Sequence, residues 1–138
     1  MAEISSKQEE KEKQIALSFF ELIAPPDGPM AALRIFDPKC KHHNPYSAQG
    51  MKSLFKEMSR AQQDTEHEHM PRDPVFSIRS VVADGNMVIV YTTMQSKSKQ
   101  TVGFRQVHMF RFKGNKVIEY WDVTQTIPKG SNYPENFF

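Results

Sequence analysis

Three residues in the C-terminal third of the chain have side chains suited to acid/base chemistry, His108 and Asp122 to hold a proton and Gln106 to hydrogen-bond beside them. Every second residue from Val102 reads Phe104, Gln106, His108, Phe110 and Phe112, and a β-strand places such a series on one face. A glutamine and a histidine among aromatics predict the wall of a pocket, because a plain apolar core would leave their hydrogen bonds unmade. A carboxylate buried beside aromatics has its pKa raised and can exchange protons near neutrality. A histidine beside Asp122 could hold it ionised or share its proton, and a glutamine could donate to a developing enolate oxygen. The three types suffice for proton abstraction next to a carbonyl, followed by isomerisation, dehydration or an aldol-type closure. A structural reading stands beside this one, in which Asp122 caps a loop or pairs with Arg105 or Arg111.

Register decides between the readings. Residues 101–127 read as one long β-hairpin turning at Gly114-Asn115. A three-residue loop, 114–116, sets His108 opposite Asp122. A two-residue turn sets His108 opposite Trp121 and sends Asp122 to the other face, unless a bulge restores the slip.

The elements that must position these residues follow from periodicity. Ser5-Ser6 with Glu9 forms a capping-box pattern, so a helix is expected from near Lys7. Its apolar stripe is Ile15, Ala16, Phe19, Phe20, Leu22 and Ile23, and Pro25-Pro26 stops it. A short second helix follows Pro29, with Met30, Leu33, Ile35 and Phe36 as buried candidates and Pro38 closing it. The turn-rich segment 37–50 carries Cys40, His42, His43 and Asn44. A third helix is expected over residues 51–63, burying Met51, Leu54, Phe55 and Met58. A polar connector, 64–74, leads into four strands, the first two joined at Asp84-Gly85-Asn86. The strand from Met87 is apolar on both faces, which requires helices on one side and a second layer or another subunit on the other. The fold class is therefore α+β: three N-terminal helices packed on a curved antiparallel sheet, forming a cone with an apolar interior. Residues 1–138 form one domain, helical over about 6–63, sheet over about 75–126, with an irregular tail over 128–138.

Other polar residues are weaker candidates. His42 and His43 are adjacent, so only one can face a given cavity; His43 is expected inward and His42 solvated. His67 and His69 would share a face if extended, but neither a helical HxxxH nor a cysteine cluster supports a metal site, and none is expected. Tyr120, Trp121 and Tyr91 are expected to line the pocket or pack in the core, and Cys40 reads as a structural thiol. The 138-residue chain carries a net charge of +2 from mixed signs, with no dense basic patch for nucleic acid. One cysteine, no signal-type apolar stretch and no run long enough to span a membrane set the expectation of a cytoplasmic protein.

Three segments together carry a family resemblance: KHHNPYSAQGM, VVADGNMVIVYT and RQVHMFRFKGNKVIEYWDVTQTIP. The chain from about Lys41 onward resembles the SnoaL-like polyketide cyclase and aldol-condensation type of the nuclear-transport-factor-2-like superfamily. The resemblance implies a cone-shaped α+β barrel, a homodimer formed through the sheet, and no metal or organic cofactor. It also implies roles: Asp122 as acid/base, with Gln106 and His108 on the facing strand and a histidine before the third helix, matched to His43. A small apolar carbonyl compound is the implied ligand. Tyr120 departs from the family, which often has histidine there, and Asn86 replaces a common aspartate. Because the superfamily also contains binding modules, two alternatives accompany the enzyme reading: a non-catalytic hydrophobic pocket and a dimeric interaction protein.

Overall fold

The structure is a computed structural model that describes residues 2–24, 28–63, 76–95 and 101–132. The polar connector with His67 and His69, the loop at 96–100 and the two terminal phenylalanines lie outside the described residues. Helix α1 (Ala2–Leu22) is followed by a 3-10 helix (Pro29–Ile35), strand β1 (Phe36–His42) and helix α2 (Met51–Gln63). Strands β2 (Phe76–Asp84), β3 (Met87–Gln95), β4 (Thr101–Lys113) and β5 (Lys116–Pro128) complete one sheet of order β1-β5-β4-β3-β2. The architecture is the cone-shaped α+β fold, with helices on one face of the sheet.

Three elements differ in detail from the expectation, the first being α1, which already runs from Ala2, so that Ser5-Ser6 lie within the helix rather than at its start. The sheet is mixed, because β1 joins it parallel to β5 at the edge. Its pairing is irregular between Phe36 and Lys41, where Pro38 has no N–H to give. The helical part of the chain thus contributes a strand to the sheet. The second helix is 3-10, and its three-residue turn puts Pro29, Ala32 and Ile35 on one buried face, while Phe36 begins β1.

The core forms where α1 and α2 meet the sheet. Ala16, Phe19, Phe20 and Ile23 on α1 are buried, as are Met51, Leu54 and Phe55 on α2. Phe19 is the hub: its ring lies 5.5 to 6.0 Å from those of Phe36, Phe55, Phe110, His108 and Tyr120. Such tilted and edge-on aromatic pairs add to the burial of their area. Glu12 continues the α1 stripe inward, and burial raises its pKa.

The β4–β5 hairpin combines a tight turn with a bulge. Lys113 pairs with Lys116 across Gly114-Asn115, and Gly114 takes φ 59, as a hairpin turn with glycine first requires. Phe112 pairs with Val117 but Arg111 with Glu119, which leaves Ile118 as the extra residue. The bulge has a hydrophobic cause. Val117 and Tyr120 are both buried, and strict alternation from Val117 would bury Glu119 and Trp121 instead of Tyr120. From the bulge onward His108 stands directly opposite Asp122.

Candidate functional site

Sheet register stacks the inner-face residues into layers. Val88, Phe110 and Tyr120 form an apolar layer on the side of the β4–β5 turn, with buried Phe112 and Val117 beyond it. The next layer is Val90, His108 and Asp122, then Thr92, Gln106 and Thr124, then Met94 and Phe104. A polar band two layers deep is therefore bracketed by apolar ones. A cavity of about 180 Å³ runs along it, lined by Gln106, His108, Tyr120, Asp122, Asn44 and Thr124. Helix residues Phe19, Ile23, Leu54 and Met58 face them, with Phe76, Met94 and Phe104 completing the walls.

Burial acts in opposite senses on the two titratable members of the band. It lowers His108 to about 3, so the imidazole is neutral near pH 7. It raises the Asp122 carboxyl above the usual aspartate range, an effect that His42 and a hydrogen bond from the Asn44 side chain oppose. The Asn44 carbonyl accepts from Tyr46 N–H at 2.9 Å, so its amide nitrogen is the group free to reach Asp122. His108 Nδ1 lies 2.8 Å from the Tyr120 hydroxyl, and Gln106 donates to Thr124 Oγ1 at 3.2 Å. Among the described residues His108 Nε2, Asp122 Oδ1 and Gln106 Oε1 are buried without a hydrogen-bond partner. Three orphaned polar atoms on residues of one cavity are a strong local signal of a ligand site.

The placement of the remaining predicted residues is mixed. Tyr120 and Phe104 line the cavity. Phe110 is wholly buried beneath Phe19 and packs in the core. His43, Trp121 and Tyr91 do not face the cavity. In β1, Cys40 and His42 are buried while Lys39 and Lys41 are exposed, and continuing that alternation turns His43 outward. His42 donates from Nε2 to Ala48 O at 2.6 Å, leaving Nδ1 to accept from Asn44 N–H at 3.3 Å. His43 instead stacks on Trp121, with ring centroids 4.7 Å apart and planes 3° from parallel, and meets Glu119 at 2.8 Å. Arg111 joins this outer cluster through Glu119 at 3.1 Å and lies 5.6 Å from the Trp121 ring centroid. Tyr91 pairs with Val107 on the same outer face, between buried Val90 and Thr92. Cys40 is buried and its thiol is pushed up to about 12, chiefly by burial.

Asn44 and Thr124 are cavity residues that residue patterning missed. Thr124 lies two places after Asp122 on the same strand face, a signal available from period 2. Asn44 sits in an irregular loop, where no periodicity gives direction. Among the described residues no three His, Cys, Asp or Glu side chains converge as a metal site would require. No described helix is long and apolar enough to cross a membrane.

The described chain is a curved sheet covered by helices on one face, with a cavity between them. Residues 17–120 match the SnoaL-like domain, and the chain belongs to the SnoaL-like family. The fold recurs in AclR, a candidate hydroxylase from Streptomyces galilaeus, with TM-score 0.67 and 16% identity over 85% of this chain and 90% of that one. A candidate SnoaL-like polyketide cyclase from Jannaschia sp. CCS1 gives TM-score 0.67 and 18% identity over 86% and 88%. An LEH-like epoxide hydrolase from M. tuberculosis gives 0.62 and 13% identity over 84% of each chain. A comparison with curated proteins gave no sequence match.

Proposed function

We propose that the protein is a small enzyme that performs acid/base chemistry on an apolar carbonyl compound held in the cavity. The observation that carries this reading is the direct opposition of His108 and Asp122 within one cavity, with Asp122 raised by burial. Ionised Asp122 takes a proton from the carbon next to the carbonyl, and the C–H electron pair moves onto the carbonyl oxygen as an enolate. Neutral His108 and its neighbours stabilise that oxygen by hydrogen bonds aimed at the developing charge. Where a C=C is conjugated with the enolate, return of the proton from Asp122 to the distal carbon completes an isomerisation. Attack of the enolate carbon on a second carbonyl forms the C–C bond and an alkoxide, and return of the proton from Asp122 to that alkoxide completes an aldol-type closure. Neighbours of the same fold include a candidate cyclase and an epoxide hydrolase, consistent with a pocket that supports acid/base work. Asn44, rather than outward-facing His43, is the loop residue beside Asp122.

Deuterium wash-out from C1 of 2-tetralone tests the reading with a simple ketone. Asp122→Asn is expected to slow the protein-dependent exchange by about 100-fold or more while ketone binding persists. An unchanged rate would remove Asp122 from the chemistry.

A further inference from the structure

We propose that the Tyr120 hydroxyl holds His108 as the Nε2-protonated tautomer, so that the cavity takes a one- or two-ring carbonyl compound with a hydroxyl across the ring from its carbonyl. This deepens the acid/base reading of the same cavity and rests on it for the site's being a small-molecule pocket.

The tautomer follows from counting donors. Tyr120 is 3% exposed, and the contact with His108 Nδ1 is the one hydrogen bond of its hydroxyl among the described residues. Were Nδ1 to carry the proton, the buried tyrosine O–H would have no acceptor, which is a costly arrangement. With the tyrosine donating, both groups are satisfied and His108 Nε2–H remains as a donor beside the cavity. Histidine at position 120 would offer a different donor pattern, so this device belongs to the tyrosine of this chain.

Gln106 supplies the opposite polarity. Its amide nitrogen is engaged by Thr124, and its Oε1 is an unpartnered acceptor. Asp122 Oδ1 is a second acceptor, directly opposite His108. Among the unpartnered buried atoms of the cavity-lining residues, one donor, His108 Nε2–H, thus stands beside two acceptors, Gln106 Oε1 and Asp122 Oδ1. A ligand that satisfies them places a carbonyl oxygen at His108, the acidic C–H at Asp122 and a hydroxyl proton at Gln106. Gln106 and His108 are two residues apart on one strand, about 6.8 Å along its axis. A hydroxyl on the atom adjacent to the carbonyl carbon falls short of that distance, whereas one across a six-membered ring reaches it.

Size sets the other limit. A cavity of about 150 Å³ accommodates benzene, and usual ligand pockets run to about 300–1,000 Å³. At about 180 Å³ this one has room for a substituted ring or two small fused rings, and too little for a multi-ring skeleton. Its walls are apolar beyond the band, with Leu54, Met58, Met94 and Phe104 among them.

Calorimetric titration of the full chain with 4-hydroxyacetophenone, 2-hydroxyacetophenone, acetophenone and 1-hydroxyanthraquinone tests the ligand class. The 4-hydroxy ketone is expected to bind at least about tenfold tighter than the 2-hydroxy ketone and acetophenone. Gln106→Leu is expected to erase that preference while acetophenone still binds, and the three-ring quinone is expected not to bind. Equal affinities for the three monocyclic ketones, no binding by any of them, or tight binding of the quinone overturns the proposal. Proton–nitrogen correlation of the histidine rings reads the tautomer in the unmodified protein. Protonated Nε2 and bare Nδ1 are expected at His108, with a mixture in Tyr120→Phe; protonated Nδ1 in the unmodified protein overturns the proposal whether or not the variant folds. Preferential binding of the 4-hydroxy ketone without Asp122-dependent wash-out would remove the catalytic reading and leave this one. Wash-out without hydroxyl preference would do the reverse.

Discussion

Asp122 and His108 are pushed by the same burial toward their uncharged forms, which makes them a different pair from a surface ion pair. The pH dependence of the proposed chemistry follows. The base form is the Asp122 carboxylate, so wash-out should rise with pH through a value above the ordinary aspartate pKa and then level. His108, depressed to about 3, adds no step near pH 6.5. Asn44 donates to the ionised carboxylate and so opposes the upward shift. Asn44→Ala should move the acid limb of kcat/KM to higher pH, because the lost donor favoured the ionised carboxylate. A limb that stays in place would show that Asn44 does not act on Asp122. Gln106, His108 and Asp122 were legible in the sequence because a strand's alternation is rigid. The two histidines were assigned the wrong way round because residues 37–50 were read as irregular, although buried Cys40 and His42 alternate there with exposed Lys39 and Lys41.

Among the elements, the β4–β5 hairpin shows how a sequence can hold two register signals at once. Gly114-Asn115 specifies a two-residue turn, and the inward need of both Val117 and Tyr120 specifies a slip; the bulge at Ile118 satisfies both. Deleting Ile118 should therefore leave the pairs from Arg111–Glu119 onward intact and preserve Asp122-dependent wash-out. Loss of wash-out in a folded deletion variant would mean that the bulge itself aims Asp122. Helix α1 was legible from its stripe, and the 3-10 helix was legible as helix but not by type, because seven residues fit either period. Strand β1 escaped because its short edge segment contains Pro38 and only a brief alternation. The role of α1 is to press Phe19 onto the sheet beneath the polar band, and Phe19→Ala empties that position. Urea unfolding should show a loss of about 3–5 kcal/mol, with a smaller loss if the neighbouring rings collapse into the space.

For the whole molecule, the outer face of the sheet poses the question that the sequence already raised at β3. Val82, Ile89 and Val123 on that face are 54%, 38% and 59% exposed, and no described element of the chain covers them. Register places Tyr91, Val107, Met109 and Trp121 on the same face, bordered by the Arg111, Glu119 and His43 cluster. A contiguous apolar sheet face of this kind marks an interaction surface. With one face packed on helices and the other on no second layer of the described chain, we propose a second copy as the cover, packed sheet to sheet about 10 Å away. Val123→Arg would place a charge at the centre of that contact and should convert a dimer to a monomer by light scattering. Trp121 is the chain's one tryptophan and lies on the outer face, so its emission reports on this contact. Emission should shift to the red on dilution and in the Val123→Arg variant. An unchanged mass and an unshifted spectrum in that variant would place any association elsewhere.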